Sequence, residues 1–183
     1  MPTYREINEK LWKVNKITDK YMGNELVKWM LAHGPDFETA LDVGCGNGKD
    51  VDFLRGVNKE VAGIELSSVM WKHLKGKANK DYFFLGDACD LPFADDSFDL
   101  LYSFEVLEHL PTKEGIQAIN EIYRVTRRYF FGTISNRREF HNSFHLNVQS
   151  RSWWDGYFRR AGFKLVEVKQ FDMVNNWVYC YEK

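Results

Sequence analysis

Residues 41–50 read LDVGCGNGKD, with glycine at 44, 46 and 48 directly after an apolar run. Glycine is costly in backbone entropy, so three of them in five positions point to a chain that turns sharply or passes close to a ligand. The flanking sequence says which kind of turn it is. TALDVG (39–44) is a short apolar strand, and residues 48–56 have helical spacing. The turn therefore joins a strand to a helix.

The same alternation continues along the chain. EVAGIE (60–65) is a predicted strand, and 67–78 a predicted helix with Ser67 as its cap. YFFLGDA (82–88) and SFDLLYS (97–103) are further strands, followed by EVLEHL and a helix over 113–125. A strand at 128–135, a helix at 150–162 and two strands at 163–171 and 176–183 complete the pattern. Strands alternating with helices of this length form a parallel sheet covered on both faces. The last two strands read as a hairpin adding an antiparallel edge strand. Upstream, residues 4–33 are helical in spacing, with a break near Gly23.

Size and composition frame this reading. The chain has 183 residues, 44% hydrophobic and 28% charged, which suits one globular domain. We divide that domain into a helical lid region (1–36), a ligand-binding core (37–134) and a substrate-side segment with the hairpin (135–183). The net charge of −1 argues against nucleic acid as a partner. Three widely spaced cysteines, Cys45, Cys89 and Cys180, form neither a disulfide framework nor a metal motif. No apolar run reaches the ~20 residues of a membrane span, and the start is charged. A cytoplasmic protein, monomeric or homodimeric, is expected.

In such a sheet the ligand lies beyond the carboxyl ends of the strands, where strand order reverses. Glu65 ends the second strand, 21 positions after Gly44. A carboxylate there can accept both hydroxyls of a ribose. The glycines run G-x-G-x-G rather than the G-x-G-x-x-G of dinucleotide sites, which disfavours an oxidoreductase using a nicotinamide nucleotide.

Taken together, LDVGCGNG, GIELS, GDACDLPFADDSFDLLYS and FEVLEHL resemble the class I S-adenosylmethionine-dependent methyltransferases. The likeness covers about residues 37–134 and is nearest the group that includes ubiquinone- and menaquinone-pathway enzymes. HLNVQSRSWWDGYFRRAGF, further on, is similar to a segment of small-molecule and sugar methyltransferases in that group. The resemblance implies a Rossmann-like, seven-stranded, mostly parallel sheet with helices on both faces. It implies S-adenosylmethionine as cofactor, S-adenosylhomocysteine as product and a small-molecule acceptor, with oxygen favoured. Asp42, Gly44, Gly46 and Gly48 would line the methionine and ribose, and Glu65 would hold the ribose hydroxyls. Leu66, Asp87 and Ala88 would meet the adenine. Ser103 and Phe104 would border the transferred methyl, and Tyr21 would close over the site.

For an acceptor hydroxyl, a base is needed; Glu108, His109, His141 and His145 are candidates, with the histidines preferred. A second reading comes from EVLEH: on a helix, Glu105, Glu108 and His109 would share a face. They could then hold a divalent metal to activate a diol, catechol or RNA 3′ end. The metal-free reading is favoured. Trp153 and Trp154 could wall the substrate, although packing on the sheet is preferred. The pairs Arg127–Arg128 and Arg137–Arg138 could meet an anionic group. A non-catalytic scaffold is the remaining alternative.

Overall fold

The computed structural model describes residues 3–6, 9, 23–75, 81–136, 145–171 and 176–183. Helix α1 spans Gly23–His33, followed by β1 (Thr39–Val43), α2 (Lys49–Gly56), β2 (Glu60–Glu65) and α3 (Ser68–Lys75). Then come β3 (Phe83–Leu85), β4 (Phe98–Phe104), a 3-10 turn (Leu107–His109), α4 (Thr112–Val125) and β5 (Thr126–Ile134). Helix α5 (Arg151–Ala161) leads to β6 (Lys164–Phe171) and β7 (Asn176–Glu182).

The seven strands form one sheet in the order β3-β2-β1-β4-β5-β7-β6. The first five are parallel. Strand order reverses between β1 and β4, which places the ligand crevice beyond their carboxyl ends. Successive residues of the central strands point to opposite faces and both faces are covered, so the strands are mostly apolar, with acids near their ends. Leu41, Val43 and Leu101 pack with Ile119, Ile122, Trp154 and Phe158 on the side of α4 and α5. Ala40, Leu100 and Tyr102 pack with Met30, Val51, Leu54 and Leu74 on the side of α1, α2 and α3.

Helix starts follow local chemistry. Ser67 Oγ accepts the amides of Val69 and Met70 at 3.2 and 3.3 Å, capping α3 as expected. Ser150 Oγ accepts the Trp153 amide at 3.2 Å and caps α5. Such caps satisfy amides that the helix itself cannot.

Two expectations are corrected. The strand expected over 82–88 ends at Leu85, because the chain turns over on Asp87. The Asp87 carboxylate accepts the Cys89 amide at 2.9 Å, and its carbonyl accepts the Asp90 amide at 3.0 Å. The closing hairpin is present, but its antiparallel strand β7 lies inside the sheet, between β5 and β6. The edge strand is β6, with Val166 59% exposed among charged neighbours. Burial explains the order: Val178, Tyr179, Cys180 and Tyr181 of β7 are all buried, which an interior position requires, while the charges of β6 protect an open edge. Among the described residues no helix is long and apolar enough to cross a membrane.

Candidate cofactor and acceptor site

The glycine turn leaves β1 and folds back onto β2. The amides of Gly44 and Cys45 both donate to the Ile64 carbonyl, at 2.9 and 3.0 Å. Gly44 and Gly48 have φ of 83° and 72°, where other residues are strained. Space is short as well: a Cβ on Gly44 would lie 2.5 Å from Val106 Cγ2, and one on Gly48 2.5 Å from Phe83 Cζ. These two glycines thus answer to packing as well as to the turn.

Glu65, at the end of β2, is 4% exposed. Its Oε2 accepts the Gly46 amide at 3.0 Å and its Oε1 the Ser67 amide at 2.8 Å. Burial raises its carboxyl above the ordinary range, and these amides pull it back. Each oxygen keeps a lone pair that can accept a hydroxyl.

Two more buried acids stand beside it. Asp42 ends β1, and Asp50 lies in the first turn of α2. Burial, then the charge of Asp50 and that of Glu65, push the Asp42 carboxyl well above its ordinary value, with the Tyr102 phenol acting against them. Burial alone raises Asp50 to about 7. Among the described residues Asp42, Asp50 and Glu65 have no ion-pair partner, and Asp50 Oδ1 and Tyr102 Oη have no hydrogen-bond partner. Buried acceptors lacking donors, with a carboxylate anchored for a diol, fit a ligand that carries both ribose hydroxyls and positive charge.

The expected adenine end is covered by residues that the sequence reading missed. Asp87 Oδ2 accepts from Arg5 Nη2 at 2.7 Å and from the Tyr4 hydroxyl. Glu9 accepts the Ser68 amide at 2.6 Å, at the start of α3. No local pattern marks these contacts, which join positions some 60 to 80 apart in sequence. Leu66 and Ala88 are half-buried beside them. Tyr21 lies outside the described residues.

On the other side of the crevice, Ser103 and Phe104 are buried at the end of β4. Ser103 Oγ donates to the Val43 carbonyl at 3.0 Å, and Phe104 packs on Tyr102 and Phe131. Their side chains hold β4 in place, so the strand's backbone is what they offer a ligand.

EVLEHL is not the helix on which the metal reading depended. Glu105 has φ 57° and lies outside the three-residue turn Leu107–His109. Leu110 is extended, as a residue before proline tends to be, and the next helix starts only after Pro111. Glu105, Glu108 and His109 therefore do not share a helix face. Among the described residues no group of three or more histidines, cysteines or acids is arranged to hold a metal. Glu108 is wholly buried; Oε1 accepts the Ser135 amide at 2.8 Å, and Oε2 has no hydrogen-bond partner. Burial, then the neighbouring Glu105 charge, hold its carboxyl well above the ordinary range.

The His109 and His145 rings meet edge to face with centroids 4.8 Å apart, so the fold brings two of the three candidate histidines together. His141 lies outside the described residues, as do Arg137 and Arg138. Trp154 is core, and half-buried Trp153 packs on it and on Tyr157. Arg127 pairs with Asp99 at 2.9 Å, and Arg128 lies over the Tyr129 ring.

Comparison with known proteins agrees with this geometry. A family profile described as a methyltransferase domain matches residues 41–129. A Mycolicibacterium smegmatis protein named as an S-adenosylmethionine-dependent methyltransferase is 27% identical over 151 residues, 78% of this chain and 58% of its own length. An O-methyltransferase of Penicillium expansum is 30% identical over 148 residues, 72% of this chain and 54% of its own. The chain thus spans little more than half of these relatives. In fold, a Pyrococcus horikoshii crystal structure superposes with a TM-score of 0.76 at 18% identity, covering 91% of this chain and 93% of that one. Over residues 41–129 the chain is similar to the methyltransferase domain, and the curated relatives it matches include S-adenosylmethionine-dependent methyltransferases.

Proposed function

We propose that the protein transfers a methyl group from S-adenosylmethionine to an oxygen of a small molecule. The observation that carries this reading is Glu65, held by the Gly46 and Ser67 amides at the end of β2 with its free lone pairs beside the glycine turn. The oxygen acceptor draws support from relatives such as the Penicillium expansum O-methyltransferase.

In this reading Glu65 takes the ribose hydroxyls, and Asp42 with the turn at Gly44, Gly46 and Gly48 takes the methionine end. Leu66, Asp87 and Ala88 take the adenine. For Asp87 that means exchanging a donor now supplied by Tyr4 or Arg5. Tyr21 closes over the site. Bound cofactor supplies an electrophilic methyl on a sulfonium, whose departure leaves a neutral thioether. The protein's task is to align that methyl with the acceptor, since orientation carries much of the rate of an in-line displacement. The backbone at Ser103 and Phe104 borders the reacting atoms. The acceptor's hydroxyl proton passes to an imidazole, that of His109, His145 or His141, as the oxygen–methyl bond forms.

Calorimetric titration with S-adenosylhomocysteine tests the assignment. Asp87→Ala and Glu65→Ala are each expected to weaken binding by about 1–3 kcal/mol, as for loss of a charged hydrogen bond. Unchanged affinity in both variants would remove the adenosine from this crevice.

A further inference from the structure

Glu65 has amides to neutralise it, but Asp42 and Asp50 do not. Asp50 is 3% exposed, yet its Oδ1 has no hydrogen-bond partner among the described residues. The Tyr102 hydroxyl, wholly buried on β4, has none either. Both groups act on Asp42 across the base of the glycine turn. A buried carboxyl left in this state is an incomplete arrangement, since burial without a partner is costly.

We propose that Asp50, together with Asp42, reads the positive charge of the cofactor, so that loading releases protons and the site prefers the sulfonium cofactor to its thioether product. This rests on the reading of the crevice as an S-adenosylmethionine site. The chemistry follows from the two ligands. S-adenosylmethionine carries one more positive charge than S-adenosylhomocysteine, on sulfur. A cation placed near two buried acids favours their ionised forms and expels their protons. The same linkage run in reverse makes affinity for the cation rise with pH until the acids are ionised without it. The product lacks the sulfonium, so its affinity changes less, and product release is favoured by the charge lost in the reaction.

Among the described residues Asp50 has no ion-pair partner. Asp50 acts on Asp42 of β1 and on Tyr102 of β4, while Glu65 at the end of β2 acts on Asp42 and Cys45 of the turn acts on Tyr102. On α2 itself, Asp52 accepts from the Tyr82 hydroxyl at 3.1 Å, and Arg55 donates to the Val61 carbonyl at 2.9 Å. On α1, which packs against α2, Glu25 and Lys28 pair with each other in exposed positions, and His33 stacks on Trp29. The described groups that act with Asp50 are thus an acid and a phenol, and in this proposal the charge that completes the set comes from the ligand.

The test is calorimetry of both ligands on the full chain, wild type and Asp50→Asn, at about pH 6 and about pH 8, in two buffers of different ionisation enthalpy. In the wild type, S-adenosylmethionine should release a measurable fraction of a proton near neutrality. The preference for S-adenosylmethionine over S-adenosylhomocysteine should grow roughly three- to tenfold across that range. In Asp50→Asn both effects should shrink, and Asp50→Glu should restore part of them. Binding of both ligands with no proton release in the wild type overturns the inference, as does equal release in wild type and Asp50→Asn. The wild-type measurement decides the matter even if a variant fails to fold. Failure of either ligand to bind would instead overturn the methyltransferase reading itself.

Discussion

Glu65 and Glu108 are the same residue at nearly the same depth, 4% and 0% exposed, beyond neighbouring regions of one sheet. Burial raises both carboxyls, but their surroundings answer it differently. Glu65 has an amide on each oxygen, and those amides oppose the effect of burial. Glu108 has an amide on one oxygen only and faces Glu105, so its carboxyl is held far above the ordinary range. Depth alone therefore does not decide the charge of a buried acid; the count of donors and the sign of the neighbours do. The β2 end offers its acid more donors, which favour the anion, whereas the β4 end leaves its acid deeper in favour of the proton.

Substitutions can break this contrast. Glu65→Gln should have the largest effect. Its amide nitrogen must face an N–H from Gly46 or Ser67, leaving buried donors opposed, at a cost of about 2–4 kcal/mol in urea unfolding. Asp50→Asn comes next and acts in the stabilising direction. The folded carboxyl titrates at about 7, above its unfolded value, so its contribution is fully present in acid and is lost as pH rises through the folded value. Asparagine avoids burying that charge. Without cofactor, the variant should therefore exceed wild type by about 1–3 kcal/mol near pH 8, and the difference should vanish near pH 4. The smallest effect belongs to Glu108→Gln. A neutral acid and an amide are close in shape and charge, and the Ser135 amide keeps an acceptor, so the cost should stay below about 1 kcal/mol. Equal losses in Glu65→Gln and Glu108→Gln would erase the distinction.

Much of this site was readable before any coordinates. The glycine turn, Glu65 and the Ser67 cap are local features, written in consecutive residues whose chemistry dictates their shape. The alternation of apolar runs with helical spacing likewise marked the parallel core, because strands covered on both faces are mostly apolar. What escaped was of two kinds. Tyr4, Arg5 and Glu9 act on distant partners, and nothing in their own neighbourhood marks Asp87 or Ser68 as the target. The conditional reading of EVLEHL as a helix face fails for a reason only partly visible in sequence: Pro111 restrains Leu110 to an extended shape, but the positive φ of Glu105 carries no local mark. The position of β7 lay between these cases. Its apolar character on both faces, set against the charged β6, identified the interior strand once the two were compared.

That arrangement also sets an order of assembly. In sequence β6 precedes β7, yet in the sheet β6 is bonded only to β7, and β7 alone joins it to β5. A chain synthesised as far as β6 has an unpaired edge on β5 and a strand with no place to dock. The pairing of β5 with β7 links Tyr129 to Glu182 and Ile134 to Trp177, contacts far apart along the chain that pair late and slowly. Until they form, the most apolar edge of the sheet is open to other chains. The vulnerable moment for this protein is therefore during its synthesis, before β7 closes the edge of β5.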